Sequence, residues 1–237
     1  DESESRGLGD VYKRQDTMSS LPDSFLRIQK KFPSFEFASE GTPRQQRQIE
    51  QLTSSWDQIG DIRRNYKVEI EANMFRFVFP EHPLNMVSRW SVGSDKDSII
   101  KRAAFNGMGL VIWQDVFGAW LPFSKKQKQL IKKLKNVLHK YHNIIFGSNS
   151  VPLIETLSNG LICNQFCNND NQKIFAIYNF TNKNIKGPLF SLEPKAKIKF
   201  QQIFGINTNL QIKKMKKSNA IFGTVPTDEV ILIYVKY

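Results

Sequence analysis

Cysteine is scarce in this chain of 237 residues: only Cys163 and Cys167 occur. On one extended strand they would stand about 13 Å apart at ~3.3 Å per residue, beyond the ~7 Å across which a disulfide closes. A C-x3-C pair alone does not define a metal site either. Both are expected to be buried free thiols, and neither a metal nor a cofactor is expected. Long apolar runs are absent. The longest, Val230 to Val235, is strand-sized, whereas spanning a bilayer takes roughly 18–20 residues, so no membrane role is expected. Acidic residues are outnumbered, 22 against 34 Lys and Arg, for a net charge of +12.

That excess of positive charge invites a nucleic-acid reading, but no nucleic-acid motif accompanies it. The densest cluster is Lys125, Lys126, Lys128, Lys132, Lys133 and Lys135. It lies on one amphipathic pattern whose other side is Leu130, Ile131, Leu134, Leu138 and Tyr141 at helical spacing. This is a core-facing helix with a solvated back, and no nucleic-acid partner is expected. Hydrophobic residues make up 40% and aromatics 12%, which suits a core-forming chain.

Ser5 to Gln15 reads SRGLGDVYKRQ, the translation of a common sequencing adapter. Residues 1–15 are therefore set aside as an artefactual tail. Two regions of different texture follow: 16–148, where helical and strand patterns alternate, and 149–237, where no helical pattern appears.

In the first region Pro22 to Lys31 reads as a helix and Ser34 to Glu40 as a strand stopped by Gly41-Thr42-Pro43. Gln45 to Ile59 is polar and reads as helical. Phe75 to Phe79 (FRFVF) alternates like a strand and is halted by Pro80. Asp95 to Phe105 reads as a helix with Ile99, Ile100, Ala103 and Ala104 as its apolar side. Gly109 to Trp113 is a continuously apolar strand of the buried parallel kind, and Ser124 caps the Lys-rich helix. The order β-α-β-α-β-α is the texture of a parallel sheet, here the last three βα units of a partial (β/α)8 (TIM) barrel. Beyond residue 151, short alternating segments separated by turn residues, including Gly187-Pro188, indicate an antiparallel β-sandwich.

Each of the three expected barrel strands ends in an acid: Glu40, Glu81 and Asp115. Barrel active sites are built at the C-terminal ends of the strands. Glycoside hydrolysis needs two carboxyl groups about 5–5.5 Å apart for retention or about 6.5–9.5 Å for inversion, and strands stand about 4.8 Å apart. Glu40, Glu81 and Asp115 are thus the catalytic candidates. Trp113 and Trp120 flank the third acid as sugar platforms, and His82 and Asn106 complete the expected substrate-binding set.

The segments SEGTP, FRFVFPEHP and RAAFNGMGLVIWQDVFGAWLPFS resemble the end of a glycoside-hydrolase-like barrel, as in uncharacterised bacterial glycosyl hydrolase-like proteins. Phe105-Asn106-Gly107, Trp113 and Phe117-Gly118-x-Trp120 carry the resemblance. Gln114-Asp115 departs from the Glu-Asn pair of that pattern. The resemblance covers roughly 30–237. It implies an enzyme fragment acting on O-glycosidic bonds, with Glu40 as general acid/base and the nucleophile on a strand outside this chain. A carbohydrate is the expected partner. The alternative is a non-catalytic carbohydrate-binding protein on a barrel scaffold.

Overall fold

The computed structural model describes residues 21–39, 49, 52–57, 69–88, 96–112, 123–169, 171–195, 197–216 and 218–237. After helix α1 (Leu21–Lys31), four short strands form one all-parallel sheet in the order β1 (Ala38–Ser39), β2 (Ser54–Asp57), β3 (Leu84–Ser88), β4 (Gly109–Ile112). Between β2 and β3 lies helix α2 (Met74–Val78), and between β3 and β4 lies helix α3 (Lys96–Asn106). Helices α4 (Lys125–Lys140) and α5 (His142–Ile145) follow β4.

Two expectations fail here. The FRFVF segment is helical: α2 spans Met74–Val78, and Asn73 caps it by accepting from the Arg76 N–H. Alternation of Phe75, Phe77 and Phe79 mimics a strand, yet Phe75 and Phe79 are also one helical turn apart, and their rings meet at 5.1 Å. The polar stretch read as helical, Gln45 to Ile59, is helical at Ile49 but holds β2 at Ser54–Asp57. The described parallel strands therefore number four, not three.

Register assigns the sheet faces. Ser55 pairs with Leu84 and Asp57 with Met86, so these four share one face. Leu84 and Met86, at 1% and 0% exposure, pack with Ile99, Ile100 and Ala103 of α3, so this is the helix-covered face. Trp56, Asn85 and Val87 point the other way. At the end of α3, Gly107 takes φ +62° and the Met108 N–H returns to the Ala103 carbonyl, closing the helix as a left-handed C-cap. A Cβ on Gly107 would stand 2.7 Å from an Ile145 methyl. Ser124 and Gln127 form the reciprocal capping box that opens α4.

Seven antiparallel strands follow: β5 (Leu161–Asn169), β6 (Gln172–Asn179), β7 (Ile185–Leu192), β8 (Lys199–Phe204), β9 (Gln211–Lys214), β10 (Asn219–Val225) and β11 (Val230–Lys236). They form sheets of order β5-β6-β11-β8 and β7-β10-β9. Strand β7 runs through Gly187-Pro188, a pair read from sequence as a turn. Pro188 has no N–H to give, and β7 is an edge strand whose register shifts opposite Ile221 and Phe222.

The central strands β6 and β11 are buried on both faces. Ile174, Ala176, Tyr178, Val230 and Leu232 join the core beneath α3, α4 and α5. Phe175, Ile177, Ile231, Ile233 and Val235 join the core shared with the second antiparallel sheet. At about 1.5–3 kcal/mol per buried large aliphatic or aromatic side chain, both cores are substantial. The first one makes the helical layer and the antiparallel sheets interdependent.

A polar clamp reinforces that junction. From α3, the Lys101 ammonium donates to the Asp228 carbonyl at 2.5 Å and pairs with the Glu229 carboxylate at 3.2 Å. Asp228 accepts from the Tyr178 hydroxyl at 2.9 Å. The two cysteines are free and buried, as expected; burial pushes the Cys163 thiol well above its ordinary range.

Candidate functional site

The C-terminal ends of the parallel strands are where a βα layer presents catalytic groups. Strand β1 ends at Ser39 and β4 at Ile112. Glu40, Trp113, Asp115 and Trp120 lie outside the described residues, as do residues 1–15.

Strand β2 ends in an acid that sequence reading passed over, Asp57. Its carboxylate accepts from the Asn73 side-chain amide at 2.9 Å, and the Arg102 guanidinium stands 3.9 Å away. Arg102 also donates to the Glu69 carbonyl at 2.7 Å and the Glu71 carboxylate at 3.1 Å. Asp57 is thus a fixed, partly buried carboxylate at a strand end, on the helix-covered face. The available signal was its placement after Trp56 in a short polar run between two better strands.

Asn106 does not serve an open site. It is fully buried and its amide is saturated. Its oxygen accepts from the Asn73 N–H at 2.7 Å, and its nitrogen donates to the Glu71 and Arg102 carbonyls at 2.9 and 3.1 Å. It holds the chain entering α2 against the end of α3.

Glu81 and His82 also change place. With α2 helical, both precede β3 and stand at its N-terminal end, opposite to the ends of β1, β2 and β4 considered above. They line a cavity of about 500 Å³ with Thr53, Val78, Phe79 and Pro83. His82 is 6% exposed and packs edge-on against Phe75 at 5.7 Å. The Ser55 hydroxyl donates to its Nε2 at 2.7 Å, and the Ser39 hydroxyl donates to Ser55 at 2.9 Å. Burial holds the imidazole below its ordinary pKa, against the opposing effect of a hydrogen bond to the Ile49 carbonyl. A neutral ring that donates to Ile49 and accepts from Ser55 is a structural tie between β1, β2 and β3.

A second cavity, of about 220 Å³, lies at the clamp between α3, α4 and the turn after β8, lined by Lys101, Lys126, Lys133, Asn207 and Glu229 among others. Among the described residues no group of three or more His, Cys, Asp and Glu could hold a metal ion, and no helix is long and apolar enough to cross a membrane.

No family model and no curated protein matches the sequence. Solved structures do. The galactosidase domain of an alpha-galactosidase-sucrose kinase aligns over 90% of this chain with TM-score 0.52 at 10% identity, and this chain covers 30% of it. The fold is glycoside-hydrolase-like. An alpha-galactosidase from Geobacillus stearothermophilus in complex with raffinose aligns over 90% of the chain with TM-score 0.48 at 11% identity, the chain covering 30% of it. Alpha-galactosidase I from Mortierella vinacea aligns over 80% with TM-score 0.47 at 8% identity, the chain covering 54% of it. The chain spans about a third to a half of the length of these structures.

Proposed function

We propose that this chain is part of an enzyme that hydrolyses an O-glycosidic bond of a carbohydrate, its parallel layer being half of a (β/α)8 barrel. One observation carries the reading: an all-parallel βα layer packed on antiparallel sheets, aligned over 90% of its length with a galactosidase domain. The four parallel strands among the described residues are half the number that closes such a barrel. Glu40, the residue after β1, is the proposed general acid/base, protonating the leaving oxygen. Asp115, shortly after β4, is a proposed second carboxylate of the site, whereas Asp57, on the helix-covered face and held by Asn73 and Arg102, is a structural carboxylate. Trp113 and Trp120 are proposed sugar platforms. Glu81, His82 and Asn106 have no part in this site.

The test is turnover of aryl glycosides by the chain alone and by a polypeptide extended upstream. The expected result is no turnover by the chain, turnover by the longer polypeptide, and loss of roughly 10²–10⁴ in kcat on Glu40→Gln. Hydrolysis by the 237-residue chain would refute the half-barrel reading. A longer polypeptide that binds sugar, cleaves nothing and ignores Glu40→Gln would show a carbohydrate-binding protein instead.

A further inference from the structure

We propose that the cavity at the N-terminal ends of β2 and β3 binds a small organic cation, an ammonium group on an apolar stem. Its volume of about 500 Å³ lies inside the range of small-ligand sites, roughly 300–1,000 Å³. The walls are Leu52, Val78, Phe79, Pro80 and Pro83. Val78 is 62% exposed, an apolar side chain held at the surface.

The polar groups select the ligand class. His82 is the buried floor, with Nε2 occupied by Ser55 and the ring fixed against Phe75. The imidazole is neutral at pH 7, since burial lowers its pKa. The Thr53 hydroxyl oxygen already accepts from the Phe37 N–H at 3.2 Å. Glu81 is exposed and forms no ion pair with any described residue. Among the described residues lining the cavity it is the one charged group, in a protein of net charge +12.

A sugar would need several donors and acceptors, and the described lining leaves few unspent. An anion would meet Glu81. An alkylammonium satisfies what remains: its methylenes lie along the apolar walls, and its charge reaches the carboxylate, with the Phe79 ring available for a cation–π contact. Because this cavity is at the opposite end of the strands, the assignment does not depend on the glycosidase reading.

The experiment is a titration of the chain with n-butylammonium followed by NMR at the His82 ring and the Val78 methyls. Butan-1-ol and methyl α-glucoside serve as neutral comparisons. Saturable shifts at both reporters are expected with butylammonium, about tenfold weaker in Glu81→Gln, where its affinity falls to that of butan-1-ol. Glu81 is exposed, so the variant should keep the parent's melting temperature. Val78→Ser should weaken butylammonium and butan-1-ol alike. Absence of saturable shifts, equal affinity in Glu81→Gln, or tighter binding of the glucoside would each overturn the proposal.

Discussion

Replacing Arg76 tests how a cation without a carboxylate partner sits in this core. Its guanidinium is fully buried, donates to the Pro80 carbonyl at 3.0 Å and the Ile145 carbonyl at 2.7 Å, and lies over Phe146 at 4.6 Å. Its Nε has no hydrogen-bond partner. Burial lowers its pKa from 12.5 to about 10. At 1.36 kcal/mol per pH unit, keeping it charged costs roughly 3 kcal/mol. Two hydrogen bonds from a charged donor return about 1.5–3 kcal/mol each, so the arginine is a modest net gain. Arg76→Met removes the charge penalty and both bonds, leaving two carbonyls short of a donor, and should cost about 1–3 kcal/mol. Arg76→Lys keeps a buried charge but cannot fork to both carbonyls, and should cost more than methionine. The unfolded chain holds the Arg76 proton to higher pH than the folded one. Its penalty is therefore constant below about pH 10 and relieved only above it, so the ranking should not change between pH 6 and 9 for the arginine and methionine forms. Urea denaturation of the three proteins at pH 7 measures the order. A lysine variant as stable as the parent, or more stable than the methionine variant, would refute the forked-donor account.

Lys101→Met should cost about 3–5 kcal/mol by thermal or urea unfolding, because it strands the nearly buried Glu229 carboxylate. Adding Glu229→Gln should recover much of that loss, and failure to recover would mean that the ion pair does not join the helical layer to the antiparallel sheets. Because His82 titrates below its ordinary pKa when folded, the unfolded chain takes up its proton first as pH falls. Its contribution is therefore complete above about pH 7 and declines below about pH 6.5. His82→Gln should flatten the denaturation midpoint between pH 7.5 and 5.5 relative to the parent, and equal slopes would rule out a neutral buried imidazole.

The long elements were legible because pattern and packing agree. In α4 the apolar positions Leu130, Ile131, Leu134 and Leu138 recur at helical spacing, and Leu134 is indeed 1% exposed. Strand β11 is apolar throughout, since one face meets the helices and the other meets the second sheet. The short elements around the candidate site were not legible, for a physical reason. Strand β2, SSWD, has no apolar alternation of its own; its conformation comes from hydrogen bonding to β1 and β3 on either side. The three phenylalanines of FRFVF satisfy a period of two and an i, i+4 contact at once, and Asn73, by capping the first turn, tips the balance to helix.

That one exchange of helix for strand redistributes the chemistry. An acid after a strand stands at the C-terminal end of a parallel layer; the same acid after a helix that leads into the next strand stands at the other end. Glu81 moved for this reason; Asp57 became visible through a separate change, the strand β2 within a stretch read as helical. The Phe105-Asn106-Gly107 signature illustrates a related point. Phe105 is fully buried and meets Tyr178 edge-on at 6.3 Å, Asn106 saturates its amide on the chain at Glu71 and Asn73, and Gly107 supplies the left-handed cap. Each residue does what only its side chain, or lack of one, permits. Such a triplet marks how α3 is closed and seated against the sheets, and carries information about fold rather than about sugar. The signature therefore does not bear on glycoside chemistry, and Glu40→Gln is a sharper test of it than any substitution in the signature.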